Sequence, residues 1–301
     1  MFKSITLLVV FCLSLSFANA TEKQILKQKE VMTVAQSGLM YKARMDTGAV
    51  NSSLHAVDLE IIGGAAKKMK HNIGKMIEFT TENEQGEQKR LQAEILKTST
   101  VRNSQGIETR YMVKLEIGFP DALKTVHVNL RDRSHMNYKL LIGRNFLKDD
   151  YIVDISGKKI DNIIGPIAKL NIKQASLMFK TRIDTGAGQN SLHAINIRIE
   201  EEDKSDMKNN IGKMVTFTTE NEKGNAVDIR TKIYGKTLIR NAQGSEIRYR
   251  VRLSVGELGQ EYLVDVNLTD RSEMGHKLLI GRNWLQDTYM VDVSKESLSQ
   301  I

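Results

Sequence analysis

Asp46-Thr47-Gly48-Ala49 returns as Asp184-Thr185-Gly186-Ala187, and Leu140-Leu141-Ile142-Gly143-Arg144-Asn145 returns as Leu278-Leu279-Ile280-Gly281-Arg282-Asn283. In both copies the later glycine follows the aspartate by 97 positions. A chain with two copies of an acidic turn can bring two carboxylates together, and two carboxylates in contact cannot both ionise cheaply.

The repetition extends well beyond these motifs. Residues 72–76 return as 210–214, residues 80–84 as 218–222, and Asp132-Arg133-Ser134 as Asp270-Arg271-Ser272, always 138 positions on. The copies align without a gap from about residue 40 to 156 and from 178 to 294. Each has the size of one small domain. Two long copies predict paired globular domains rather than a solenoid. The expected organisation is a leader over 1–20, a first domain over 21–156, a connecting segment over 157–169 and a second domain over 170–301.

Lys3 followed by an apolar run from Ile5 to Phe17, then Ala18-Asn19-Ala20, has the pattern of a cleavable signal peptide. The run is too short to span a bilayer, so cleavage before Thr21 would leave an exported chain with no membrane-spanning helix. The single cysteine, Cys12, would leave with the leader. The expected mature chain has no thiol and no disulfide, and the expected compartment is the periplasm. Removing Lys3 lowers the formal charge from +8 to +7. No arginine-rich run or basic stretch interleaved with aromatics occurs, so nucleic acid is not an expected partner. The excess reads as a solvated surface that at most tilts substrate choice toward acidic peptides or an anionic envelope.

Each copy reads as mainly β. Met214-Val215-Thr216-Phe217-Thr218 and Val251-Arg252-Leu253-Ser254-Val255 alternate apolar and polar residues, as half-buried strands do. Gly86 and Gly224 mark one hairpin turn in each copy, and Gly106 and Gly244 the next. The one helix expected per copy is a short one at Gly-Arg-Asn, over 143–148 in the first. The connecting segment, with Ile160, Ile163, Ile164 and Ile167, is too apolar for a free linker and predicts a packed strand.

The residue types suit an acid–base pair. Gly48 and Gly186 have no β-carbon, so the two loops can approach until Asp46 lies beside Asp184. Thr47 and Thr185 can hydrogen-bond across the pair, with Ala49 and Ala187 completing each loop. One carboxylate then acts as base toward a water while the other keeps a proton and acts as acid.

These motifs resemble those of the retropepsin-like aspartic proteases, and more closely the bacterial retropepsin-like family often labelled "ATP-dependent zinc protease". The resemblance is carried by Asp-Thr-Gly-Ala, by Leu54-His55-Ala56 and Leu192-His193-Ala194, by the two Asp-Arg-Ser turns and by Leu-Ile-Gly-Arg-Asn. It covers nearly all of the expected mature chain. It implies two tandem acid-protease β-barrel domains, a catalytic pair Asp46 and Asp184, and a protein or peptide substrate. Single-domain members reach their dyad by homodimerising; here the partner is fused, which favours an intramolecular pseudo-dimer. Flap hairpins are implied with tips at Arg102, Asn103 and Gly106 and at Arg240, Asn241 and Gly244. Gly143, Arg144, Asn145, Gly281, Arg282 and Asn283 are implied as structural residues near the site. Retroviral members pair this arginine with an acid just after Asp-Thr-Gly-Ala, where Val50 and Gly188 stand here. Asp132 and Asp270, or Asp154 and Asp292, are the substitute partners the sequence offers.

The family label itself finds no support in the residues. Only His55 and His193 recur among six histidines, and no His-Glu-x-x-His or cysteine cluster exists, so no metal is expected. Both histidines read as structural, donating to a backbone carbonyl or carboxylate. No Gly-x-x-x-x-Gly-Lys-Ser/Thr loop is present for ATP, and no cofactor is expected. Two functions fit: an exported aspartic endopeptidase, or a catalytically silent peptide-binding or regulatory module of the same fold.

Overall fold

The computed structural model describes residues 22–103, 106–157, 160, 162–241 and 244–295. The leader expected over 1–20 lies outside them. Among the described residues the chain is mainly β in both halves, with one short α-helix per copy, Arg144–Leu147 and Arg282–Leu285, beginning inside the Gly-Arg-Asn motif, and one 3-10 turn per copy, Met69–Asn72 and Met207–Asn210. Among the described residues no helix is long and apolar enough to cross a membrane.

Strand alternation builds each core. Along Leu39–Met45 the residues Leu39, Tyr41, Ala43 and Met45 are buried while Met40 and Lys42 face out, the period of two that a pleated strand imposes. The second copy repeats this over Leu177–Ile183, where Phe179, Thr181 and Ile183 are fully buried. Two separate apolar cores result, one centred on Tyr41, Phe79 and Phe146, the other on the aligned Phe179, Phe217 and Trp284. Trp284 donates its indole N–H to the Val255 carbonyl at 3.0 Å and lies between the rings of Tyr262 and Tyr289.

The two copies share a topology but differ in one strand. In the second, Ala226–Asn241 runs through a bulge at Ile233–Gly235 and pairs with Met214–Glu220 at one end and Gly244–Gly256 at the other, giving a nine-stranded sheet. In the first, the corresponding strand breaks between Gln88–Glu94 and Lys97–Asn103, so a three-stranded sheet separates from a seven-stranded one. Ile95 and Ile233 are both fully buried at this joint, so the packing anchor is kept while the hydrogen-bond ladder differs.

One pairing positions the site. Leu140–Ile142 runs parallel to Leu39–Met45 and antiparallel to Ser52–His55, and Leu278–Ile280 does the same in the second copy. This sets the Gly-Arg-Asn turn directly against the Asp-Thr-Gly loop. The halves are joined by a four-stranded sheet in the order Gln24–Lys27, Tyr151–Asp154, Met290–Val291, Ile163–Ile164, with Val153 opposite Val291 at its centre. Much of the apolar connecting segment is thus in strands: Ile163–Ile164 in this joining sheet, and Ile167–Ile172 already in the second copy's sheet.

Candidate active site

Asp46 and Asp184 each leave the end of a strand with the backbone N–H bonded to the neighbouring strand, to the Ile142 and Ile280 carbonyls at 2.9 Å. The two loops meet back to back. The Thr47 N–H donates to Thr185 Oγ1 at 3.1 Å and the Thr185 N–H to Thr47 Oγ1 at 3.0 Å. Each hydroxyl then donates onward to the other copy's strand, Thr47 to the Ile183 carbonyl and Thr185 to the Met45 carbonyl. Both threonines are fully buried, so every polar atom they bring in must be matched.

Glycine is required between these loops. A β-carbon on Gly48 would overlap the Asp184 carboxylate, and one on Gly186 the Asp46 carboxylate. The single chain therefore places its two aspartates in one site. Asp46 Oδ1 accepts from the Ala49 N–H at 2.9 Å; Asp184 Oδ1 accepts from the Gly186 and Ala187 N–H groups at 2.9 and 3.0 Å. Both aspartates are only 7% exposed. Burial, reinforced by the nearby Asp46 charge, raises the Asp184 carboxyl to about 6 against the pull of Arg182 and Arg44.

Those two arginines are part of the site that motif reading missed. Arg44 lies 3.1 Å from Asp46 and Arg182 lies 3.5 Å from Asp184. The signal was present, since Arg-x-Asp-Thr-Gly occurs in both copies and residues two apart on a strand share a face. Behind them stand Arg133 and Arg271, almost wholly buried. Burial and the like charges of Arg44, Arg110 and Arg131 pull Arg133 down to about 9, with Asp46 opposing; burial, Arg182 and Arg248 pull Arg271 to about 10.

Arg144 and Arg282 do not pair with any of the acids the sequence offered. Arg144 donates to the Thr47 carbonyl at 3.2 Å, and Arg282 to the Thr185 and Gly186 carbonyls, both at 3.0 Å. Asp132, Asp270 and Asp154 instead close their own turns on Ser134, Ser272 and Ser156, and Asp292 binds Lys23 and the Ser294 N–H. The arginines thus buttress the dyad loops through backbone oxygens.

Gly143 and Gly281 are required there as well, because a β-carbon on Gly143 would strike the backbone of Asn51 and Ser52, and one on Gly281 that of Ala187 and Gln189. The loop supports differ in chemistry: Ser52 donates to Asn145 Oδ1 at 3.0 Å and accepts from the Gly143 N–H, whereas Asn190 accepts from the Gly281 N–H directly. Asn283, the counterpart of Asn145, donates to the Asp265 carbonyl.

The two recurrent histidines also behave differently from the expectation. His55 Nδ1 accepts from the Arg133 N–H and His193 Nδ1 from the Arg271 N–H, both at 2.9 Å. Each is an acceptor at that atom. Burial and the neighbouring Lys139 or Lys277 lower both imidazoles, which keeps the ring neutral and the acceptor available. Among the described residues no three His, Cys, Asp or Glu side chains gather as a metal site.

The hairpins Lys97–Asn103/Gly106–Phe119 and Ala226–Asn241/Gly244–Gly256 occupy the flap positions, closing on the pairs Asn103 with Gly106 and Asn241 with Gly244. Arg102 reaches across to the second half, 3.2 Å from the Glu273 carboxylate. Arg240 has His135 at the position aligned with Glu273.

A family model described as the RimB-like retropepsin-like aspartic endopeptidase matches residues 25–162 and again 163–300. The chain belongs to this family. Curated relatives carry a different name. A probable alpha-L-glutamate ligase of Parasynechococcus marenigrum (strain WH8102) is 29% identical over 142 residues, covering 46% of this chain and 29% of that protein. A probable alpha-L-glutamate ligase of Desulfotalea psychrophila is 28% identical over 134 residues, covering 40% and 27%. The chain spans less than a third of the length of these relatives. The crystal structure of Lpg0085, a Legionella pneumophila protein of unknown function, is 29% identical, with 44% of this chain and 95% of that one covered and a TM-score of 0.36.

Proposed function

We propose that this chain is an exported aspartic endopeptidase whose single site, built from both halves, cuts acidic peptides. The observation that carries the reading is the pair of crossed threonine bonds, which holds two buried carboxylates together from two loops of one chain. A water between them would lose its proton to the ionised carboxylate and attack the scissile carbonyl, whose oxygen takes the proton held by the other. The resulting tetrahedral diol would collapse with proton transfer to the departing nitrogen. Burial supplies the condition for this chemistry, because it raises the Asp184 carboxyl to about 6, so that one carboxyl keeps its proton in mildly acidic solution.

The acidic preference rests on two supports. Arg44, Arg182, Arg133 and Arg271 crowd near the two aspartates, with Glu222 a further acid acting on Arg271, and incoming carboxylates would relieve their mutual repulsion. Relatives named as probable alpha-L-glutamate ligases, matched over less than a third of their length, make glutamate-containing peptides the first substrates to try. Incubating the purified protein with glutamate-rich peptides and their glutamine counterparts, and weighing the products, tests the reading. Cleavage of the glutamate peptides that disappears in Asp46→Asn is the expected result. Binding without cleavage at any pH from 4 to 8 would favour the silent peptide-binding module. Export is tested by the intact mass of the native protein, which should begin at Thr21; a retained Met1 would overturn it.

A further inference from the structure

A pseudo-symmetric dyad leaves open which aspartate is the base and which the acid, and the arginines beside it are not equivalent. Arg44 hydrogen-bonds Asp46 Oδ2 through Nη2 at 3.1 Å. The matching nitrogen of Arg182 lies 3.5 Å from Asp184 and bonds instead across the interface to the Gly48 carbonyl. The difference continues outward. Arg44 lies over the ring of Tyr138, 5.8 Å from its centroid, which holds the guanidinium toward Asp46. The aligned ring, His276, is tied through Nδ1 to the Lys180 carbonyl at 2.9 Å.

Resting on the endopeptidase reading, we infer that Asp46 is the base and Asp184 the acid of the dyad, the polarity being set by Arg44, which donates a hydrogen bond to Asp46 Oδ2, and Arg182, which is drawn onto Gly48 and leaves Asp184 the shared proton. The backbone donors do not reverse this. Asp184 accepts two N–H bonds, but both fall on Oδ1, leaving Oδ2 toward Arg182 and the facing loop. The other charges around the pair are Arg144, Arg282, Arg133 and Arg271, which come in aligned twos and favour neither aspartate by identity. His276 is the one titratable ring beside Arg182 without a copy, and burial lowers it toward the neutral form.

The reaction then has a direction. Asp46 takes a proton from water as the water oxygen bonds to the carbonyl carbon, and the Asp184 proton passes to the carbonyl oxygen. When the carbon–nitrogen bond breaks, Asp46 gives its proton to the nitrogen and one hydroxyl proton returns to Asp184. Both residues end as they began, with one water consumed. A peptide must therefore lie with its scissile carbonyl oxygen toward Asp184, so a cleft built from two similar halves accepts it in one orientation.

The test is the pH dependence of kcat/KM in Arg44→Gln and Arg182→Gln, each with a lysine variant at the same position. The acid limb of the profile reports the base and the alkaline limb the acid. Arg44→Gln should move the acid limb upward by about one pH unit, and Arg182→Gln, whose arginine bonds Gly48 rather than Asp184, should move the alkaline limb upward by less. Arg44→Lys and Arg182→Lys should restore most of each shift, which a purely structural role would not require. Shifts of the same limb in both variants, or the reverse assignment, overturn the inference. If the wild type cuts no peptide, the endopeptidase reading fails separately. Carbon-13 carboxyl titration of the folded chain, assigned with Asp46→Asn and Asp184→Asn, then decides the polarity: Asp46 deprotonating first supports it, and Asp184 deprotonating first overturns it.

Discussion

The first and second halves agree where geometry permits one solution and differ where one half can be adjusted alone. Asp-Thr-Gly-Ala, Leu-His-Ala and Gly-Arg-Asn are identical in both, and at each the reason is steric or electrostatic: a β-carbon would strike a carboxylate or backbone, and a buried hydroxyl or imidazole must meet a fixed partner. The differences lie one shell further out, at Ser52 against Asn190, Tyr138 against His276, and His135 against Glu273. Two identical chains could not differ at these positions. Fusing the halves is what allows the asymmetry, and the contacts of Arg44 and Arg182 show it reaching the dyad.

The strongest break of the comparison is at the aspartates. Asp46→Asn and Asp184→Asn should each lower the cleavage rate by at least about a thousandfold, because losing either acid or base removes a contribution of that order. If each variant kept about half the activity, with a dimeric mass in solution, the halves would be working as separate sites formed between chains.

Next come the threonines, where the halves should respond alike. Thr47→Ala removes the acceptor of the Thr185 N–H and the donor to the Ile183 carbonyl, leaving both without their partner in a buried interface. Thr185→Ala does the same to Thr47 and Met45. Each should cost about 3 kcal/mol. Thermal or denaturant unfolding followed by the fluorescence of Trp284, the one tryptophan, measures it. A large loss from one variant and little from the other would mean that the crossed bonds are not equivalent.

Asp184 separates stability from activity. Its folded-state value, near 6, lies above the ordinary carboxyl value of 3.8. The folded chain therefore binds a proton that the unfolded chain releases, and the associated stability is fully present below about 4 and lost as the pH rises through 6. Asp184→Asn has no such proton to lose. It should be more stable than the wild type at pH 7 to 8 by on the order of 2 kcal/mol, with the advantage shrinking toward pH 4. Unfolding curves across that range check the sign, and an advantage that grows in acid would contradict it.

How much of this was legible depended on whether a residue's partner is named in the sequence. The repeat, the paired aspartates and the need for Gly48 and Gly186 follow from spacing and from the absence of a β-carbon. The partners of Arg144 and Arg282 did not, because the sequence displays side chains and the acceptors are the Thr47, Thr185 and Gly186 carbonyls. His55 and His193 were legible as structural but not as acceptors, since the turn that aims the Arg133 and Arg271 N–H groups at them exists only after folding. Arg44 and Arg182 recur at a fixed place before each aspartate, yet the difference between them comes from Arg182 reaching Gly48 of the opposite loop, which a motif read along one copy does not contain. The break in the strand at Ile95, with Ile233 buried in its place in the second copy, leaves no mark in the apolar pattern.

The smallest expected difference lies at the flaps. Arg102 ties the first flap to Glu273, whereas the position of the first half aligned with Glu273 is His135, which offers no acid to the second flap. Arg102 and Glu273 are 47% and 86% exposed, so their ion pair is worth less than about 1 kcal/mol and weakens with salt. Amide exchange should nonetheless resolve it. At low ionic strength the hairpin Lys97–Asn103/Gly106–Phe119 should be protected about twofold to threefold more than Ala226–Asn241/Gly244–Gly256 near their tips. Glu273→Gln should remove that margin, and 0.5 M salt should do the same without any substitution. His135→Glu offers the second flap an acid and should raise its protection by a similar factor. Equal exchange of the two hairpins in the wild type at low salt would show that the ion pair does not hold the flap, and the asymmetry of the molecule would then end at the dyad arginines.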